Sequence, residues 1–279
     1  MKKVLSAALI VLGIIFLIFF ISMVKAPSPP AKNKSSTSRS STSALTSHKL
    51  FLKALELEKE GELLKARDML KKALGTASQT KEIEEIQKKI ENLNMEIIFS
   101  PLIDKDSFLY EVKPGDSLAK IAKKFGTTVA LIKRSNHLRR DLIRAGEKLK
   151  IIKGVFSLVI DKSQNLMFLK ENGEIINTYL VSTGRNNSTP TGTFKIINKL
   201  KNPVWFRKDI GAVVPPSSPD NILGSRWLGL DIEGYGIHGT TKPQDLGKQV
   251  TAGCIRMRNS DIEELYDILP LKTKVVIVD

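Results

Sequence analysis

Cys254 is the only cysteine among 279 residues, and His238, one of three histidines, stands a short way before it. Both lie in a glycine-rich stretch, "YGIHGTTKPQDLGKQVTAGCIRMRN", residues 235–259. A thiol reacts as its thiolate, so a nucleophilic cysteine needs a base or a cation beside it. Histidine is the side chain whose pKa suits that task near neutral pH. Gly236, Gly239 and Gly253 flank the pair and would let backbone N–H groups approach a reacting carbonyl as an oxyanion hole. Arg256, two positions after Cys254 in an extended segment, would project to the thiol's side, where it could lower the thiol's pKa or hold a substrate carboxylate. One Cys and one His close in sequence are weak grounds alone, because an unpaired cysteine is commonly a buried, inert small hydrophobe. No set of His, Cys and carboxylates at ligand spacing stands near them, so neither a metal nor another cofactor is expected.

The elements that must position these residues are legible as runs of β-branched and apolar residues between 154 and 279: "FSLVID", "LMFLK", "IINTYLVSTG", "GTFKIINKL" and the terminal "KVVIVD". Turn residues separate them at short intervals, which predicts a β-rich catalytic domain, a mostly antiparallel sheet or sandwich. One helix is expected over 260–269, closed before Pro270. Residues 202–226, with Trp205, Phe206 and "PPSSP", fall between the strands and the candidate catalytic loop and are read as a lid over a cleft, or else as an ordinary surface loop.

Residues 108–153 predict a small βααβ domain. Asp116 or Ser117 caps a helix carrying Leu118, Ile121 and Ala122, Gly126 ends it, and Thr127 or Thr128 caps the next. Upstream, residues 48–97 show apolar positions at helical spacing, broken at Gly61, with a further helix over 80–94. "KEGELLKARDMLKKAL" resembles the second half of a tetratricopeptide unit, and a single such hairpin cannot bury its own face. It serves either as a spacer or as a docking site for a protein partner.

Residues 26–47 hold Ser, Thr, Pro and Lys without an acid, the composition of a disordered linker. Residues 4–24, "VLSAALIVLGIIFLIFFISMV", are uncharged and long enough to span a bilayer, so residues 1–25 are read as an uncleaved signal-anchor, a single-pass transmembrane helix. A cleaved signal peptide is the competing reading, although "FFISMVKAP" is a poor cleavage site. The expected location is the cell membrane, with the C-terminal domains on the extracytoplasmic, cell-wall side. A formal charge of +15 either suits an anionic partner such as a polyanionic envelope or only keeps the surface soluble. Nucleic acid is not expected, for lack of zinc-ligand spacing, RNP-like aromatics or an Arg-rich helix.

Two resemblances sharpen this reading. "YEVKPGDSLAKIAKKFGTT" with "IKRSN" and "AGEKLKI" resembles a LysM domain over its whole length. That family binds N-acetylglucosamine chains through two loops, which implies glycan contacts at Gly115, Asp116, Ser117, Leu142 and Ile143; His137, in the second loop, is read as a surface residue. "YGIHGT" and "AGCIRMRN", with "VSTG" at 181–184 and "TPTGTF" at 189–194, resemble the YkuD-type L,D-transpeptidase catalytic domain. The resemblance implies Cys254 as nucleophile and His238 as base, with the Gly239 carbonyl orienting the ring. It further implies Arg256 as the family arginine and the N–H groups of Gly253 and Cys254 as oxyanion donors. It departs at Ala252, where many members carry a second histidine.

The implied activity is thioester formation on Cys254 from a peptidoglycan tetrapeptide stem, then acyl transfer to an amine of another stem to give a 3-3 cross-link. L,D-carboxypeptidase action is a side reaction. The implied partners are peptidoglycan glycan strands and stem peptides. The alternative is a non-catalytic or weakly hydrolytic wall-binding protein. A papain-like protease fits poorly, because its cysteine precedes a distant histidine.

Overall fold

A computed structural model describes residues 37–207 and 210–279. The chain divides into two compact units between Asn94 and Met95. Among the described residues no helix is long and apolar enough to cross a membrane; the run at 4–24 read as an anchor lies outside them.

The first unit contains α1 (Thr37–Lys59), α2 (Leu63–Thr76) and most of α3 (Thr80–Ile98). Gly61, at φ 77°, makes the turn between α1 and α2, a left-handed conformation that costs glycine little. Ala54, Ala66 and Ala73 are small enough to bring the helices together over Leu70, Ile86, Ile90 and Leu93. The linker expected to run to residue 47 is helical from Thr37. Serine and threonine are only mild helix breakers, and no proline or glycine follows Pro30 before Gly61, so α1 extends back beyond its apolar-periodic part.

The second unit opens with the last turn of α3, whose Met95 and Ile98 join its core. Lys150, 1% exposed, fastens that turn by donating from Nζ to the carbonyls of Ile97 (2.6 Å) and Ser100 (3.0 Å). Strands β1 (Ser107–Glu111) and β2 (Lys148–Ile152) pair antiparallel around α4 (Leu118–Phe125) and α5 (Val129–Ser135). The caps are Ser117 and Thr128, each accepting a backbone N–H three residues on. Thr128 also donates to the Asp267 carbonyl, and Arg134 pairs with the Asp267 carboxylate at 3.0 Å, so α5 is held against the following sheet domain.

That domain holds β3 (Phe156–Asp161), β4 (Leu166–Glu171), β5 (Glu174–Leu180), β6 (Thr183–Gly184), β7 (Gly192–Lys201), β8 (Trp205–Arg207) and β9 (Ala212–Val214). These are followed by β10 (Arg226–Leu230), β11 (Gly236–His238), β12 (Gln249–Thr251), β13 (Ile255–Arg256), α6 (Asn259–Ile268) and β14 (Lys274–Val278). The main sheet has the order β13-β11-β10-β7-β14-β3-β4-β5. It is antiparallel except at β14/β3 and β11/β13, and the second exception lies under the candidate chemistry. One face buries Leu228, Ile237 and Ile255 in the core with Ile262, Leu265 and Ile268 of α6. The expected helix thus starts one residue early, after Arg258.

Candidate active site

The parallel register of β11 and β13 sets Ile237 beside Ile255 and His238 beside Arg256. One step back, Gly236 stands next to Cys254. Strand alternation sends Ile237 and Ile255 into the core, both 0% exposed, and turns His238, Cys254 and Arg256 to the opposite face. His238 is also paired with Trp227 of β10, whose indole stacks on the imidazole with centroids 5.8 Å apart and planes at 16°. Gly236 leaves room for that indole: a Cβ there would meet Trp227 Cζ2 at 2.5 Å.

The His238 ring is 2% exposed, and Nδ1 lies 2.7 Å from the Gly239 carbonyl. A carbonyl only accepts, so Nδ1 carries the proton and Nε2 is left as the base. The role expected for Gly239 is present in the geometry. Burial pushes the ring's pKa down to about 4, against the pull of the Gly239 and Leu223 carbonyls and with added repulsion from Arg256. Burial likewise pushes the Cys254 thiol up, outweighing the Gly236 backbone and the Arg256 charge, which act the other way. The expected Arg256 effect exists, but it does not produce a resting thiolate. A charged form loses hydration that the half-closed cleft does not replace, so the resting state is neutral thiol and neutral imidazole. The S–H lies 3.5 Å from the Gly234 carbonyl and must leave that acceptor when it turns to Nε2.

The protonation states give an expected pH profile. The base is functional when neutral, so kcat/KM should stay level as pH falls below 6.5 and decline only near 4. Thiol alkylation should rise with pH along a curve displaced above that of a free cysteine. An acid limb centred near 6.5 would show that the ring titrates as a solvated imidazole and would refute this assignment.

The loop before Cys254 is tied from several directions. Gly253 has φ 134°, and a Cβ there would meet Tyr235 Cε1 at 2.6 Å. Its N–H donates to Thr251 Oγ1 at 3.1 Å, so it is not the free oxyanion donor expected from the sequence. Thr251 Oγ1 in turn donates to the Cys254 carbonyl at 2.6 Å, closing a turn that local hydrogen bonding favours over an open amide. The Cys254 N–H has no partner among the described residues and is left as the oxyanion donor. Thr189 Oγ1 bridges the Gly184 N–H (2.7 Å) and the Gly253 carbonyl (2.8 Å), and Lys162 Nζ holds the Thr189 carbonyl at 2.9 Å. "VSTG" and "TPTGTF" thus form the cradle of the nucleophile loop.

Asn259, the last residue of "AGCIRMRN", ties the loops on either side of His238. Its Oδ1 accepts the N–H groups of Ser225 and Thr240, both at 3.1 Å, and its Nδ2 donates to the Thr240 carbonyl at 3.0 Å. A Cβ on Gly239 would meet that Oδ1 at 2.0 Å. Asn259 therefore sets the Gly239–Thr240 backbone, and through the Gly239 carbonyl it sets the tautomer and tilt of His238. Asn259→Ala should lower kcat by about 10²-fold, the usual consequence of a misaligned base, with KM little changed. Asn259→Asp, which keeps both acceptor bonds, should recover part of the loss; equal loss in both variants would refute the positioning role.

Arg256 is 7% exposed, its Nε has no partner, and burial lowers its pKa while Asp245 raises it. A buried guanidinium short of acceptors beside a nucleophile is a receptor for a carboxylate. Ala252 is exposed and supplies no second titrating group. Within residues 202–226, β8 and β9 pair antiparallel, and the buried Asn221 amide donates to the carbonyls of Pro203, Val214 and Pro215. Its base, Leu223 to Ser225, meets the Gly239–Thr240 backbone and His238. No group of three or more His, Cys, Asp or Glu able to hold a metal exists among the described residues.

In the small βααβ domain, Asp116 accepts from Tyr110 Oη (2.8 Å) and the Lys113 N–H (2.9 Å), and Ser117 serves as a cap. The Gly115 carbonyl receives Lys120 Nζ at 2.7 Å. Ile143 packs on the domain's own core, whereas Leu142 is 71% exposed. Of the five expected glycan contacts, the side chains of Leu142 and Ser117 are exposed, and Ser117 keeps its hydroxyl proton to donate.

The chain is similar to known L,D-transpeptidases. A family model for the L,D-transpeptidase catalytic domain, YkuD, matches residues 156–277, and one for the LysM domain matches residues 110–151. "Putative L,D-transpeptidase YqjB" of Bacillus subtilis is 37% identical over 128 residues, 44% of this chain and 70% of that protein. "Putative L,D-transpeptidase YkuD" of Bacillus licheniformis is 34% identical over 178 residues, 61% of this chain and 98% of that one. The solved L,D-transpeptidase of Mycobacterium smegmatis shares 21% identity over 48% of this chain and 64% of that one, with a TM-score of 0.39.

Proposed function

The chain belongs to the YkuD-type L,D-transpeptidase family, and from that premise we propose that Cys254, His238 and Arg256 join peptidoglycan stem peptides. The observation that carries this reading is the β11/β13 register, which gathers those three side chains on one face while the Gly239 carbonyl holds His238 in the basic tautomer.

The steps follow from the neutral resting pair. Nε2 of His238 takes the Sγ proton as sulfur attacks the carbonyl carbon of the third stem residue, and the oxyanion is met by the Cys254 N–H. Arg256 holds the carboxylate of the terminal D-alanine. Collapse breaks the amide C–N bond, the imidazolium returns its proton to the departing D-alanine amine, and a thioester remains. The side-chain amine of a second stem then attacks that thioester. His238 takes the amine proton and passes it to the leaving thiolate, giving a 3-3 cross-link and the free thiol. Water in place of the amine gives carboxypeptidase action.

The LysM domain supports a wall-bound substrate, because gripping the glycan raises the local concentration of an insoluble polymer around Cys254. In this reading residues 4–24 anchor the protein in the membrane, and the helical segment acts as a spacer or as the seat of a protein partner. The anchor rests on the apolar run alone.

The test is mass spectrometry of the full-length, reduced protein incubated with tetrapeptide-bearing muropeptides. The expected product is an adduct on Cys254 equal to the muropeptide less D-alanine, followed by cross-linked dimers. A protein that gives neither adduct nor product, yet still sediments with sacculi, would instead be the non-catalytic wall binder.

A further inference from the structure

On β7, alternation separates two sets of side chains. Asn198 and Leu200 lie on the face of Trp227 and His238, and Asn198 Oδ1 accepts from Trp227 Nε1 at 3.1 Å. Lys199 and Lys201 project to the opposite face, beside α6. There Lys201 stands directly across from Arg226, a like-charge pair that is unfavourable on its own. Lys199, Lys201 and Arg226 crowd one ring, at 4.5, 5.8 and 5.5 Å from the centroid of Tyr266. Lys199 Nζ is half-buried and donates to the Tyr266 and Leu269 carbonyls, the latter at 2.7 Å.

Lys199, Lys201 and Tyr266 form one wall of a cleft of about 630 Å³ whose other wall is α5 and the loop after it, including Lys133, Arg134 and His137. The carboxylates nearby are already matched: Asp141 with Lys133 (2.5 Å), Asp267 with Arg134 (3.0 Å) and Glu263 with Arg226 (3.8 Å). Lys199 and Lys201 have no carboxylate within ion-pair distance among the described residues. Burial and the Lys201 charge press the Lys199 pKa down to about 8, with Asp267 opposing. Two neighbouring ammonium groups held together without counter-charges, in a cavity large enough for a peptide, constitute a site short of an anion.

We propose that this cleft binds the carboxylate groups of a stem peptide carried on the glycan strand that the LysM domain grips, a proposal that rests on the wall-binding reading above. Continuity argues for this occupant, since the loop lining the cleft through His137 and Asp141 runs directly into Leu142 and Ile143, the expected glycan contacts. The site lies on the sheet face opposite Cys254, so its stem is not the one that reacts. It fixes a neighbouring stem of the held strand and so sets the strand's direction relative to the catalytic face.

The experiment is equilibrium binding of the full-length protein carrying Cys254→Ala, which blocks turnover. The probes are sacculi with intact stems and glycan strands stripped of stems, with free stem peptide and a poly(glycerol phosphate) chain as competitors. Stem-bearing material should bind about tenfold more tightly than stripped glycan at low salt, an advantage that shrinks as salt rises. Lys201→Glu, an exposed substitution that does not threaten folding, should erase the advantage; Lys199→Met should reduce it. An advantage that survives Lys201→Glu overturns the proposal, and so does stronger competition by the phosphate polymer than by free stem peptide. Formation of the Cys254 adduct is read separately in the unsubstituted protein, so failure here leaves the transpeptidase reading intact.

Discussion

Cys254→Ala should abolish the muropeptide adduct, and His238→Gln should lower its rate of formation by at least about 10³-fold, the usual cost of removing a nucleophile or its base. The expectation for the histidine is the more informative, because it follows from the protonation states. A cysteine beside a cation can sit as a stable thiolate and attack without a base at that moment; a thiol whose pKa is pushed up by burial cannot. His238 is buried, neutral and oriented by Gly239, and no second imidazole stands at Ala252 to take over. Glutamine can still donate to the Gly239 carbonyl, so the variant removes basicity while keeping the local fold. The double variant should be no slower than Cys254→Ala alone, since the two residues act as a unit. If His238→Gln retains more than about a tenth of the wild-type rate, the thiol is being activated by something else, and Arg256 becomes the first candidate.

Arg256→Met should cost about 10²- to 10³-fold in kcat/KM for tetrapeptide stems, the range seen when one charged or oxyanion contact is removed from an acyl-transfer site. Methionine fills the volume of the buried stem, which keeps packing losses small. The discriminating measurement uses a stem whose terminal carboxylate is blocked as an amide. Wild type should be slower on the amide by a similar factor, and Arg256→Met should no longer distinguish the two substrates. Such coupling assigns the guanidinium to the leaving D-alanine. A loss of equal size on both substrates would instead mean that Arg256 only props up the cleft beside His238.

Much of the site was legible because its chemistry is local in sequence. Cys254 and His238 are rare residue types set among glycines, and a two-residue alternation was enough to put Arg256 on the thiol's side. The caps could be narrowed to Asp116 or Ser117 and to Thr127 or Thr128 because capping is decided within four residues, and the structure selects Ser117 and Thr128. Other features depended on partners far away along the chain. Thr189 reaches Gly253, Asn259 reaches Ser225, and Thr128 reaches Asp267; the sequence contains no periodicity that announces such pairs. "TPTGTF" and the terminal Asn of "AGCIRMRN" were visible as motifs, but their geometric roles were not.

Residue types and short-range spacing determined which groups could do chemistry, where strands and helices would form, and which turns glycine had to make. Tertiary structure decided the rest: the parallel β11/β13 pairing that brings the His238 and Cys254 segments side by side, the capture of the Gly253 N–H by Thr251, and the uncharged resting state of thiol and imidazole. The physical reason is that burial and long-range pairing are properties of the assembled chain. How much water a group loses, and which carbonyl replaces it, is settled only when distant segments have closed around it.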